Sequence, residues 1–348
     1  MIALCVCLIP IAISYLTTIV RPSNSSFMIN SFEWLRDHGA ARFASQVENI
    51  YYSLNAPSSG GAALRKLPLR PSAPAPVHPP DLAPVIRPAL PGEGVWVPSE
   101  GWSGASAPVQ IAQFRSDPNY PRMVAGVAWI DQTRTNVAYY PGRLEPSVSL
   151  PSRGPMEVPI QSRSRLLAAF NSAFKLSDSG GGFALAGHTY APMRPGLATL
   201  IGYSNGRVDV AAWSGGSDVQ SGVSFARQNL PLIVDGGQPN PNLSDGPEWG
   251  LTLGNAVRVW RSGIGVDRNG NLVYAAAPDQ TVGSLAQILV RAGAVRAMEL
   301  DINSYWVTFI TYARPGAGQP ASLLPAMTRT SDRYLTPDDR DFLAVFLR

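Results

Sequence analysis

Apolar residues recur along this chain in short runs broken by turn residues, and most runs are too short for anything but strands. One stretch differs. Thr281 to Ala292, TVGSLAQILVRA, places Leu285, Ile288, Leu289 and Ala292 at helical spacing. Ser284 and Gln287 stand in a capping-box relation, and Gly293 is a natural stop. From Ala294 the pattern turns to alternation and predicts a strand running to Tyr305. Val295, Ala297, Glu299, Asp301 and Asn303 share one side of it; Met298, Leu300 and Ile302 take the other. Two carboxylates and an amide thus point the same way where a strand ends.

Elsewhere, Val109 to Phe114, Val307 to Tyr312 and Leu343 to Leu347 read as strands, and Arg165 to Phe174 as an apolar strand that fails at Asn171. Met123 to Ile130 and Asn136 to Tyr140 read as a pair around the turn DQTRT, and Phe183 to Tyr190 as a short hairpin. Leu197 to Trp213 predicts a hairpin about Ser204-Asn205-Gly206, and Ala256 to Ala277 another about Asp267-Arg268-Asn269-Gly270. Val223 to Gln228 is a helical or extended link, and LPLIV ending at Val234 a strand closed by Asp235-Gly236-Gly237. Many hairpins around one helix predict an α+β domain, with a mixed or antiparallel hairpin-rich sheet and few helices, over residues 95–348.

The N-terminal third follows other rules. Ile2 to Val20 is an uncharged run. At about 1.5 Å per residue it just spans a bilayer core of about 30 Å. No basic leader or small-x-small cleavage site accompanies it, so residues 1–22 predict a retained, single-pass transmembrane helix rather than a cleaved signal peptide. Residues 23–56 predict a membrane-proximal amphipathic helix, capped by Ser31 and running to Leu54, with Phe32, Leu35, Phe43, Val47, Ile50 and Tyr51 on its apolar stripe and His38 off it. Residues 57–94 are proline-dense and form an extended spacer or a strap along the domain, with His78 inside it.

Composition narrows the function. The 348 residues carry a formal charge of +4 and 45% apolar residues, enough for a substantial core. Basic residues are scattered, with no tract to follow a phosphate backbone, which argues against nucleic acid. The two cysteines, Cys5 and Cys7, both lie in the N-terminal run, so the domain has neither a cysteine nucleophile nor a zinc-thiolate site. No G-x-S-x-G elbow occurs.

A two-carboxylate hydrolase fits better. Glu299 and Asp301 have α-carbons about 6.6 Å apart by strand rise, within reach of a shared water. As alternatives, Glu299, Asp301 and Asn303 offer hard oxygens to calcium or magnesium, or they simply pair with arginines. Arg261, beside Ser262-Gly263, either grips a phosphate oxyanion or is a surface arginine. The glycine run 180–182 is a site-lining loop or an ordinary connection. Asp235 lines the same cleft as Asn171 or closes an Asx turn. His188 can contact a ligand, but one histidine builds no metal site.

The order of features in residues 165–312 resembles the phosphodiester glycosidase family. The family's N-G-G-F corresponds to Asn171-Ser172-Ala173-Phe174, and its L-V-x-D-G to Leu232-Ile233-Val234-Asp235-Gly236. Its R-[ST]-x-I-G-V-x-x-[DN]-G is matched by Arg261 to Gly270. Its helix, Gly-Ala and strand ending L-D-G-G-G-S become Gly293-Ala294 through Leu300-Asp301-Ile302-Asn303-Ser304. Ser172-Ala173 and Ile302-Asn303 stand where the family has glycines, so side chains reshape or close the pocket there. The resemblance implies hydrolysis of the glycosidic bond in a sugar-1-phosphodiester of an envelope or extracellular glycan, with no cofactor required. Arg261 and Lys175 would hold phosphate. Asp301 or Glu299 would activate water, and Asn171 and Asn303 would contact sugar or phosphate, with His188 and Asp235 as further substrate contacts. The rival expectation is a non-catalytic, membrane-anchored glycan-binding or envelope-assembly protein. Either way the expected location is the cell membrane, with the domain outside the cytoplasm.

Overall fold

The computed structural model describes residues 2–21, 23–40, 79–99, 107–313 and 318–348, with a few isolated positions between them; for residues 2–9 it describes the backbone alone. The strands in chain order are β1 (Val97–Pro98), β2 (Val109–Arg115), β3 (Val124–Ile130), β4 (Thr135–Tyr140), β5 (Leu166–Asn171) and β6 (Phe183–Leu185). There follow β7 (His188–Ala191), β8 (Ala198–Tyr203), β9 (Val208–Ala212), β10 (Val223–Gln228), β11 (Val234–Asp235) and β12 (Gln238–Pro239). The last are β13 (Val259–Asp267), β14 (Leu272–Gln280), β15 (Ala294–Glu299), β16 (Phe309–Ala313), β17 (Gly318–Ser322) and β18 (Phe342–Leu347). Among the described residues the longer helices are α1 (Ile2–Val20), α2 (Phe27–Asp37) and α3 (Val282–Arg291), beside a single α-helical turn at Leu176–Ser179 and short 3-10 turns.

The strands form an eight-stranded sheet, β1-β2-β3-β14-β13-β15-β11-β12, and two five-stranded sheets, β7-β6-β10-β8-β9 and β17-β16-β5-β18-β4. The pairings among the described residues are antiparallel, as in the long β13–β14 hairpin and its β15 neighbour. This is an α+β fold, hairpin-rich and poor in helix. The large sheet is covered on both faces. Leu285, Ala286, Ile288 and Leu289 of α3 pack with Val127, Val273 and Ala275 on one side. On the other, Ile264, Tyr274 and Ile130 meet Phe170, Leu200, Phe225 and Val345 of the smaller sheets. Strands β2, β3, β5 and β13 are therefore buried nearly throughout, and β3 and β5 are almost wholly apolar, because both faces are covered. Strand β4 alternates buried with half-buried residues at the edge of its sheet.

Helix α3 starts where its spacing predicts, but its cap is one turn earlier than Ser284-Gln287. Thr281 accepts from the Ser284 amide at 3.0 Å, and the Ser284 hydroxyl accepts from the Thr281 amide at 2.9 Å. Gly293 ends the helix at φ +96°, a conformation other residues adopt at a cost. Replacing Thr281 by Ala should lower stability by about 1 kcal/mol. A urea titration of wild type against variant measures it.

Three sequence-based expectations fail here. First, β3 and β4 are not partners: β3 pairs β2 and β14, whereas β4 pairs β18. The DQTRT segment carries the chain between sheets. Its Asp131 side chain binds the Thr133 amide and hydroxyl, and Gln132 bonds to Val208 and the Gly270 carbonyl. Second, the amphipathic helix begins at Ser26 rather than Ser31 and stops at Asp37, ahead of Gly39 at φ +83°; its expected continuation to Leu54 lies almost wholly outside the described residues, as does His78.

Third, the expected transmembrane helix is corrected. Among the described residues no helix is long and apolar enough to cross a membrane. From Pro10 on, α1 presents hydroxyls that serve a neighbouring helix. Ser14 bonds to His38 and to the Trp34 indole, and Tyr15 bonds to Ser31. The two helices form a hairpin through these polar contacts, and α2 in turn docks on the domain. With the spanning helix go the membrane partner and the single-pass cell-membrane location that rested on it.

The described half of the proline-rich segment is a strap on β2. The Leu82 amide donates to the Gly94 carbonyl and the Gly94 amide to the Gln113 carbonyl, both at 2.8 Å, and Glu93 is buried against Arg115 with a 2.8 Å contact. Burial pushes the Glu93 carboxyl up, but hydrogen bonds from Arg115 and from the Leu90 and Arg115 amides outweigh it and hold it below its ordinary value.

Candidate active site

The cavity that gathers candidate groups has a volume of ≈ 480 Å³ and lies where the ends of β5 and β15 meet the start of β18. Its making begins at the end of β15. Leu300 still bonds to the Ser262 carbonyl of β13, but the Asp301 amide turns to the Ser172 carbonyl beyond β5. The chain thereby leaves one sheet for another. Asp301 Oδ1 then accepts from the Asn303 amide at 2.9 Å, and Asn303 Oδ1 from the Tyr305 amide at 2.9 Å. Two successive Asx turns replace the strand expected to reach Tyr305.

That change of path separates the two acids. Glu299 remains in the ladder, 1% exposed, and pairs with Arg261 at 2.5 Å. Arg261 also donates to the Gln280 and Trp249 carbonyls, both at 3.1 Å. Neither side chain lines the cavity. Burial outweighs the Arg261 guanidinium and pushes the Glu299 carboxyl up to about 7.

Asp301 lines the cavity and is gripped by Arg340, whose Nη2 stands 2.6 Å from Oδ2. Burial raises its proton affinity, with Arg340 and the Asn303 amide working against that; the balance lies above the ordinary aspartate value. Arg340 is 6% exposed and rests over the Trp306 ring at 5.3 Å. Its Nε is buried without a hydrogen-bond partner. Burial disfavours its charge, but Asp301 and the nearby acids Glu145, Glu33 and Asp341 more than compensate. A guanidinium held charged in a cavity lining is suited to an oxyanion.

Lys175 joins the same cavity from beyond β5, and α2 closes over it. Its ammonium reaches Glu33 at 2.7 Å and Asp37 at 3.3 Å, and Glu33 and Arg36 are part of the lining. Asn303 lines it as well. The opposite wall is the loop before β13. Gly250, at φ +108°, lets this loop sit against Ile302 and Phe174; a β-carbon there would stand 2.7 Å from Ile302 Cδ1.

Asn171 does not reach the cavity surface. Its amide donates to Ser262 Oγ at 2.9 Å and to the Ser172 carbonyl at 3.1 Å, while its oxygen accepts from Tyr274 and the Thr308 amide. Ser262 Oγ passes the connection on to the Asp301 carbonyl at 2.7 Å. Asn171 is thus the brace behind Asp301. Asp235 is exposed and binds the Gly236 amide at 2.9 Å, closing the turn. His188 is exposed on β7, paired with Leu185. Neither lines the cavity. The glycine run serves packing: a β-carbon on Gly181 or Gly182 would collide with Gln228 or Met193.

Spacing did not reveal Arg340, Glu33 and Arg36 as lining residues, nor Trp306, whose ring packs against the Arg340 guanidinium. The available signal for Arg340 was Asp338-Asp339-Arg340-Asp341, four charges directly before an apolar strand. Charges in that position are buried against one another or face a site. Among the described residues no group of three or more His, Cys, Asp or Glu side chains is placed to hold a metal ion. Glu299 and Asp301 each face their own arginine.

A family model described as phosphodiester glycosidase matches residues 177–301, less than half of the chain. The chain is distantly related to that family. No curated protein matches it. Among solved structures, a hypothetical protein from Synechocystis is 15% identical, over 69% of this chain and 62% of that one, with a TM-score of 0.39. The catalytic domain of zebrafish N-acetylglucosamine-1-phosphodiester alpha-N-acetylglucosaminidase, auto-inhibited by its pro-peptide, is 16% identical over 73% of this chain and 87% of that one, with a TM-score of 0.46. This chain spans less than two thirds of the Synechocystis protein. At such identities and scores neither likeness bears on substrate or mechanism.

Proposed function

We propose that this protein hydrolyses the glycosidic bond of a sugar-1-phosphodiester in the cavity bounded by Asp301, Arg340 and Lys175. The observation that carries the reading is the Asp301–Arg340 pair, a carboxylate and a guanidinium that both line one cavity, in a chain distantly related to phosphodiester glycosidases. Arg340 takes the part first expected of Arg261, because Arg340 lines the cavity whereas Arg261 is buried against Glu299 and does not.

In this mechanism Arg340 and Lys175 hold the phosphoryl oxygens and stabilise the charge that grows on them as the bond breaks. Asp301, ionised, accepts a proton from a water whose oxygen attacks the anomeric carbon. The bond from that carbon to the phosphoryl oxygen breaks, giving a free sugar and a phosphomonoester. Phosphate is a good leaving group, so no strong acid is needed opposite Asp301. Asn171, through Ser262, fixes the backbone that carries Asp301.

Incubating the full chain with glycosyl-1-phosphodiesters and assaying reducing sugar and phosphomonoester tests the reading. Equimolar release of both is expected. Saturable binding with no product would instead support a glycan-binding protein without turnover. Exchanging Lys175 for Met should raise KM about tenfold, the value of a charge-assisted contact, with a smaller change in kcat. Steady-state kinetics separates the two.

A further inference from the structure

The cavity lining combines two chemistries. Beside charged groups that include Asp301, Arg340, Lys175, Glu33 and Glu248, the residues Phe174, Leu230, Pro247, Leu251, Val259 and Ile302 contribute apolar surface. Leu251 is the telling member. It is 78% exposed while lining the cavity, next to Gly250, whose backbone lets the loop come against Ile302 and Phe174. An exposed leucine alone needs no explanation, but one that lines a cavity together with other apolar side chains marks a place where a ligand's apolar part is covered. Sugars and their hydroxyls gain little from such a wall.

We infer that the substrate is an amphiphile: the phosphoryl group held by Arg340 and Lys175 carries an aliphatic chain that lies along Leu251, Phe174 and Ile302. This rests on the site proposed above and adds the class of leaving group, an alkyl or isoprenyl phosphate rather than a second sugar. The volume of ≈ 480 Å³ falls within the range of small-molecule sites and accommodates a phosphoryl group with part of such a chain.

The test is equilibrium binding of methyl, butyl and octyl phosphate to the full chain by calorimetry. Each methylene covered by the wall should tighten binding about two- to fourfold. Leu251→Asp, at an exposed position and so harmless to folding, should flatten that gradient while leaving methyl phosphate affinity nearly as it was. Affinity independent of chain length, a gradient that survives Leu251→Asp, or no binding of any of the three overturns the inference. The binding readout stands apart from turnover. A clear gradient in a protein that releases no sugar would sink the proposed hydrolysis and keep the amphiphile; release of sugar without a gradient would do the reverse.

Discussion

Replacing Asp301 by Asn should lower kcat by about 10²- to 10⁴-fold, the span that general-base catalysis supplies. The amide keeps the side chain's shape and its acceptor oxygen toward the Asn303 amide, so the thermal midpoint should move little compared with that loss. It does leave Arg340 without a counter-charge, and Glu145, Glu33 and Asp341 lie near enough to share that duty. The pH profile carries a second signature. Asp301 must be ionised to take the proton, and burial raises its proton affinity above that of an ordinary aspartate. The acidic limb of kcat should therefore rise with pH through a value above about 4. Turnover unchanged in the Asn variant, measured as sugar release under saturating substrate, would remove Asp301 from the reaction.

Glu299 should behave in the opposite manner. Truncating it to Ala leaves the Arg261 guanidinium buried with only two carbonyls for company, and breaking a buried pair from one side costs about 3–5 kcal/mol. Arg261→Ala should cost a similar amount. The double variant should lose less than the sum of the two, because it leaves no orphaned charge. Urea unfolding of the three variants measures this. Such a cycle identifies the pair as a structural device in the large sheet, the role its distance from the cavity surface indicates. The raised proton affinity of Glu299 adds a direction. A carboxyl that binds its proton more tightly folded than unfolded favours the folded state fully below the unfolded value of about 4.5, and that contribution fades as pH rises towards about 7.

Local signals read well where they were local. The hairpins about Asn205-Gly206 and Asn269-Gly270, the apolar runs of β5 and β18, and the stop at Gly293 all follow from turn chemistry and periodicity. What failed depended on partners distant in the chain. A short turn suggests that β3 and β4 pair, yet both edges of β3 are taken by β2 and β14, and β4 joins β18 in another sheet. Alternation continued past Glu299 in the letters, but the bond from the Asp301 amide to Ser172 pulled the chain out of the ladder. This is why Glu299 and Asp301, two residues apart, serve different arginines. Arg340 was hidden for the same reason. Its role comes from Asp301 and Trp306, and nothing in its own neighbours specifies either. The uncharged run at the start resembles a bilayer span in residue type alone, whereas its Ser14 and Tyr15 hydroxyls have partners on α2.

Strand β18 lies between β4 and β5, although some two hundred residues separate β4 from it along the chain. A polypeptide still being synthesised, halted anywhere short of Phe342, presents two unpaired strand edges instead of a closed sheet. Such edges are templates for joining other chains. Arg340 arrives with that same final strand. Production of this protein is therefore most vulnerable during the interval before Arg340 to Leu347 have emerged, when neither the seam in the sheet nor the guanidinium beside Asp301 is yet in place.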